Sequence, residues 1–156
     1  MIAIHIPGRA QYQIEHIVFD VNGTLCLDGI LIEGVQKRFQ ALKEQVQVHL
    51  VTADTYGKQN EHDRVLSTSA HILQPGNESE QKAKFVEGLL ADAVIAVGQG
   101  ANDAGMLKKA AIGIAILSRE GLAVESLLAA DLILPDIQSL FECLENPRRL
   151  VASLRK

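Results

Sequence analysis

Short apolar runs, each closed by a polar or glycine-containing turn and followed by a segment of helical spacing, recur along this entire chain. The first is Ile14 to Phe19, which ends at Asp20. Glu33 to Gln45 then carries Val35, Phe39 and Leu42 on one helical face, and Val46 to Val51 reads as strand again. A polar helix over Tyr56 to Leu66, a short strand at Ala70 to Leu73 and a break at Pro75, Gly76 and Asn77 come next. A helix follows from about Ser79 to Leu90. Strands at Ala93 to Val97 and Ile112 to Leu117 flank a helix near Asp103 to Lys109. A helix over Arg119 to Ala129, a strand at Leu132 to Leu134 and helices from Ile137 complete the pattern. Strands that are apolar on both faces must be covered on both, which implies parallel pairing with right-handed helical crossovers. The expected fold is therefore α/β: a three-layer α/β/α, doubly wound, mainly parallel sheet.

Such sheets bind ligands at the carboxyl ends of their strands, near a switch in strand order. Asp20, Thr52 and the segment from Gly98 onward stand at those ends. Between Asp20 and the first long helix, two apolar runs flank Asp28-Gly29 within residues 25–34, the pattern of a tight hairpin and here a flap beside the site. The length of 156 residues suits one domain spanning 1–156, with no room for a cap domain.

Composition narrows the partners. Hydrophobic residues make up 47% and charged residues 22%, an ordinary globular balance. A net charge of −4 lacks the basic footprint that nucleic acid or an anionic membrane requires, so neither is expected as a partner. No apolar stretch approaches the roughly 20 residues that span a bilayer. The run Met1 to Arg9 is interrupted by His5, Pro7 and Gly8, unlike a signal peptide. Cys26 and Cys143 show no metal or redox spacing and read as free thiols, which fits a cytoplasmic protein.

Four segments carry candidate chemistry. In Phe19-Asp20-Val21-Asn22-Gly23-Thr24, a carboxylate ends a strand beside a glycine turn; a plain strand-to-turn transition reads equally well. Thr52 ends the next apolar strand with a hydroxyl able to bond a phosphate oxygen, while Asp54 suits a helix cap. Lys82 sits near a helix start, where its charge opposes the helix dipole unless something else uses it. The stretch Gly98-Gln99-Gly100-Ala101-Asn102-Asp103 looks superficially like a dinucleotide loop. However, Asp103 replaces the third glycine, and a carboxylate there suits a metal ion better than a pyrophosphate. The five histidines show no ligand spacing, and Glu61-His62-Asp63-Arg64 and Arg148-Arg149 read as solvated faces.

Taken in order, these segments resemble the four motifs of the haloacid-dehalogenase superfamily in an uncapped form. The nearest likeness is to the phosphorylation domain of P-type cation ATPases. It rests on Lys82-Ala83-Lys84-Phe85-Val86-Glu87, on Asn102-Asp103-Ala104 with Ala110 to Ala115, and on Ala130 to Leu134, and it covers about residues 14 to 140. The resemblance implies an aspartyl-phosphate at Asp20, Thr52 on the phosphoryl group and Lys82 neutralising both. It also implies phosphate binding around Gly23, Thr24, Ala53 and Asn102, and Mg²⁺ near Asp20, Asn22, Gln99 and Asp103.

Two positions depart from the pattern: Asn22 stands where phosphatases of the superfamily carry an acid/base aspartate, and Gln99 where they carry an acidic metal ligand. An amide cannot transfer the proton, a role worth roughly 10²- to 10⁴-fold. The expected activity is thus a Mg²⁺-dependent phosphohydrolase or phosphotransferase, slow, acting on a small or macromolecular phosphorylated substrate. Uncapped members take large substrates or use a neighbouring subunit as a lid, so a homo-oligomer is among the expectations. The rivals are a non-catalytic binding or scaffold protein of the same fold and a receiver-like phospho-acceptor domain.

Overall fold

The computed structural model covers residues 1–156. Its frame is a six-stranded, all-parallel sheet. Before it comes an antiparallel ribbon of β1 (Ile2–His5) and β2 (Gln11–Ile14), which the apolar pattern did not announce. The reading of Ile14 to Phe19 as one strand is cut at Glu15, whose N–H donates to Ala93 O and whose carbonyl accepts from Gln47 N–H. β1 alternates buried and exposed, so Ile2 and Ile4 reach the core and its polar face meets water.

The chain then enters the sheet through β3 (His16–Phe19) and makes the hairpin of β4 (Cys26–Leu27) and β5 (Ile30–Leu31). Asp28 and Gly29 lie at φ 51° and 73°, the left-handed pair that a two-residue hairpin turn demands. α1 (Val35–Lys43) leads to β6 (Gln47–Thr52), and α2 (Gln59–Leu66) leads to the two-residue edge strand β7 (His71–Ile72). α3 (Glu78–Gly88) crosses back, placing β8 (Val94–Gly98) on the other side of β3. α4 (Ala104–Lys109), β9 (Ile112–Ile116), α5 (Val124–Ala129) and β10 (Leu132–Leu134) extend that side. α6 (Ile137–Glu145) and α7 (Arg148–Leu154) close the chain. The strand order is β10-β9-β8-β3-β6-β7, so the order switches at β3, and Asp20 stands just beyond its carboxyl end.

Every residue of β8 and β9 is buried, as their unbroken apolar runs require. One face of the sheet carries the larger core, where Phe19 packs between Phe39 of α1 and Phe141 of α6 at ring separations of 6.1 and 6.2 Å. The other face carries Val18, Val51, Ala96 and Ala115 beneath Val86 of α3 and Met106 of α4.

Two expectations need correction. The helix expected from Arg119 begins only at Val124; residues 117–123 form a loop, with Gly121 at φ 101° and Ala123 N–H bonded to Gln99 O at 2.9 Å. The Glu61 to Arg64 face is not wholly solvated either. His62 is buried against Cys26 and the Gly29 carbonyl, and the Asp63 carboxylate accepts from Ala70 N–H.

Candidate active site

The carboxyl ends of β3, β6 and β8 bring four side chains together. Asp20 follows β3 and is buried, with its N–H on Val97 O at 2.9 Å. Its Oδ1 accepts from Lys82 Nζ at 2.6 Å, and its Oδ2 accepts from Thr24 Oγ1 at 3.3 Å. Lys82 rises from α3 with no exposed surface and also donates to Asp103 Oδ1 at 2.5 Å. The charge that opposes a helix start is therefore spent between two carboxylates. Burial, and next the Asp103 charge, push the Asp20 carboxyl up to about 7 against the opposing pull of Lys82. For Lys82, burial alone would lower the pKa, but the Asp20 and Asp103 charges and hydrogen bonds outweigh it and hold the ammonium above the ordinary lysine range.

Asp103 is locked on its other side too, since its Oδ2 accepts from the N–H groups of Gln99 and Gly100, both at 2.9 Å. A Cβ on Gly98 would stand 2.5 Å from the Asp103 carboxyl carbon, so only glycine lets this carboxylate fold back under the loop. Thr52 ends β6; its hydroxyl oxygen accepts from Asp54 N–H at 3.0 Å and faces Asn22 Nδ2 at 3.5 Å. No protein acceptor takes the Thr52 proton, and the residue lines the cavity.

Asp20, Asn22, Thr52, Ala53, Gln99 and Asn102 line one cavity of about 200 Å³. Lys82 and Asp103 lie beneath it. Gly23 and Thr24 stand behind it, with their N–H groups donated to Cys26 O and Val21 O and the Thr24 hydroxyl turned to Asp20. In this arrangement the Thr24 hydroxyl supports the Asp20 carboxylate, and neither Gly23 nor Thr24 lines the cavity. Thr55, Tyr56 and Glu120 complete the lining and were not foreseen. Tyr56 packs on the flap, where a Cβ on Gly29 would meet its ring at 3.0 Å. Glu120 comes from the loop after β9, and its Oε1 accepts from Asp28 N–H at 2.8 Å. That loop contains no apolar period from which its position could be read.

The donors available to a divalent cation are Asp20 Oδ2, the Asn22 carbonyl, which takes only a 3.4 Å contact from Gln99 Nε2, and the Gln99 amide oxygen. Asp103 has both oxygens engaged, and no group of three or more His, Cys, Asp or Glu is placed to hold a metal. One carboxylate with neutral oxygens fits Mg²⁺, which keeps waters and takes phosphate oxygens, and does not fit a cage made by protein alone.

No family model matches the sequence. An uncharacterised protein of Methanocaldococcus jannaschii is 34% identical over 84 residues, which are 51% of this chain and 90% of that protein. The "Probable copper-exporting P-type ATPase" of Archaeoglobus fulgidus is 29% identical over 140 residues, 87% of this chain but 17% of the ATPase. The chain thus spans about a sixth of that relative's length. Among solved structures, the 3-deoxy-D-manno-octulosonate 8-phosphate phosphatase of Moraxella catarrhalis in complex with magnesium ion, phosphate ion and KDO superposes with a TM-score of 0.66. It is 18% identical, with 92% of this chain and 95% of that one covered. A phospho-aspartyl intermediate analogue of phosphoserine phosphatase gives a TM-score of 0.64 at 18% identity, over 85% of this chain and 99% of that one. At such identity the likeness is one of fold.

Proposed function

We propose that this chain, which has the haloacid-dehalogenase-like fold, is a Mg²⁺-dependent phosphohydrolase or phosphotransferase working through an aspartyl-phosphate at Asp20. The observation that carries this reading is the buried Asp20–Lys82–Asp103 array at the base of a polar cavity, at the switch in strand order. A purely structural ion cluster has no reason to open one carboxylate oxygen onto a cavity.

In this reading Lys82 holds Oδ1 and the Asp20 carboxylate attacks phosphorus, while the bond to the leaving oxygen breaks on the opposite side. The Thr52 hydroxyl and the Asn22 and Asn102 amides bond the phosphoryl oxygens, and Lys82 offsets the charge that builds on them and on Asp20. Asp20, the Asn22 carbonyl and Gln99 would hold Mg²⁺ together with phosphate and water, and the bound ion would supply charge neutralisation. Asn22 orients but has no proton to give, so leaving groups that depart unprotonated are preferred, and hydrolysis of the phospho-enzyme lacks roughly 10²- to 10⁴-fold of acid/base assistance.

The test is phosphate release from p-nitrophenyl phosphate and acetyl phosphate, with and without Mg²⁺, beside Asp20→Asn. Release that requires both Mg²⁺ and Asp20 is the expected result. Folded protein that releases no more than the variant overturns the catalytic reading. It would then favour the second one, a binding or scaffold role, for which Asn22 and Gln99 are the supporting features.

A further inference from the structure

Depth divides the candidate cavity into two chemically different halves. Its floor is buried: Asp20 and Thr52 show 6% and 0% of their surface, with Lys82 fully covered below. Its mouth is exposed and consists of Thr55, Tyr56 and Glu120. A phosphoryl group bound on the floor must direct whatever it is esterified to toward that mouth.

No lysine, arginine or histidine lines the cavity anywhere. Lys82, beneath the floor, is already shared between two carboxylates. The only charged side chain at the mouth is Glu120, and it is held in place. Its Oε1 takes the Asp28 N–H of the flap at 2.8 Å, its N–H bonds Ser118 Oγ at 3.1 Å, and Ser118 pairs with Gly121 across the loop. Its other oxygen, Oε2, stands over Gly23, 2.8 Å from where a Cβ would lie, beside the Gln99 amide on the cavity wall. Glu120 pairs with no cationic side chain, and its charge is fixed at the mouth that the esterified group would face.

We propose that Glu120 is the specificity-determining residue of this cavity, selecting small phosphomonoesters whose leaving group carries an ammonium or hydroxyl donor and rejecting those with a second anionic group. The inference rests on reading the cavity as a phosphomonoester site. Its volume of about 200 Å³ admits a phosphate and a few further heavy atoms, which places a charge two or three bonds beyond the ester oxygen in reach of Glu120. At such separations, in a cavity half open to water, one unit charge changes affinity by about three- to tenfold.

The matched probes are phosphoethanolamine and 2-phosphoglycolate, which share a two-carbon ester and differ in the sign of the terminal charge. Their dissociation constants are measured by calorimetry with Mg²⁺ on the native protein, at times short of measurable phosphate release. Phosphoethanolamine is expected to bind about tenfold tighter. Adding Glu120→Gln, which keeps an oxygen for Asp28 N–H, should bring the ratio close to one, and adding Glu120→Lys should invert it. A role of Glu120 limited to holding the flap would weaken both ligands equally and leave the ratio unmoved. Equal affinities in all three proteins, or no binding of either ester, overturns the proposal. If the ratio behaves as expected while the native protein releases no phosphate from any ester, the catalytic reading fails and the selectivity of the site stands.

Discussion

Lys82 lies without exposed surface 2.6 Å from Asp20 and 2.5 Å from Asp103, three ionisable groups of which only Asp20 reaches the cavity. Such a triad adds little net stability, because desolvation cancels much of the attraction, yet removing its centre leaves two buried carboxylates facing each other. Lys82→Met should therefore cost about 3–5 kcal/mol, read as a lower denaturation midpoint at unchanged slope. A loss below 1 kcal/mol would mean that the carboxylates are solvated and the cluster is looser than its distances. Asp20, Thr52 and Asp103 each stand where an apolar run or a helix begins or ends, which made them candidates. Lys82 lies in the second turn of α3, and it was the order of the four motifs, not its own position, that singled it out. Glu120 was not legible, because a charged residue in an irregular loop is placed only by the folding of the rest.

At the scale of elements, the strand and helix pattern survives almost intact, since strands covered on both faces cannot hide their apolar runs. What failed was read by propensity alone. The segment from Arg119 looks helical, but Gly121 at φ 101° and the bond from Ala123 to Gln99 hold it as a loop over the cavity. The N-terminal ribbon was missed because four-residue alternations are weak signals next to a longer apolar run. Glycine also sets how closely layers approach. A Cβ on Gly113 in β9 would lie 2.3 Å from the carbonyl oxygen of Leu107 in α4, and backbone cannot swing aside as a side chain can. Gly113→Ala is expected to destabilise by about 1–3 kcal/mol through overpacking. Unchanged thermal stability would show that α4 can shift to admit a methyl group.

Across the whole molecule, both cysteines report on the integrity of the larger core. Cys26 in the flap hairpin and Cys143 on α6 are buried there. Burial first, then the Asp20 and Glu120 charges, push the Cys26 thiol up to about 12, and burial raises Cys143 as well. Thiolate is the reactive form, so neither should react promptly with a disulfide reagent at pH 8. Two equivalents should react in guanidinium chloride, at midpoints that coincide with loss of helix signal. One thiol reacting at once in the folded protein would mean that the hairpin or α6 opens independently of the core.

The strand order has one last consequence. Asp20 hangs from β3, flanked on both sides by parallel partners, whereas Glu120 and the Asp28-Gly29 turn belong to short segments at the rim. Local opening begins in segments with little buried contact and reaches central strands last. Amide exchange should thus find β3 and the segments of Glu120 and the Asp28-Gly29 turn in different stability classes. In the proposed reading, substitutions at the rim would rewrite which molecules the scaffold accepts while leaving the Asp20 array untouched.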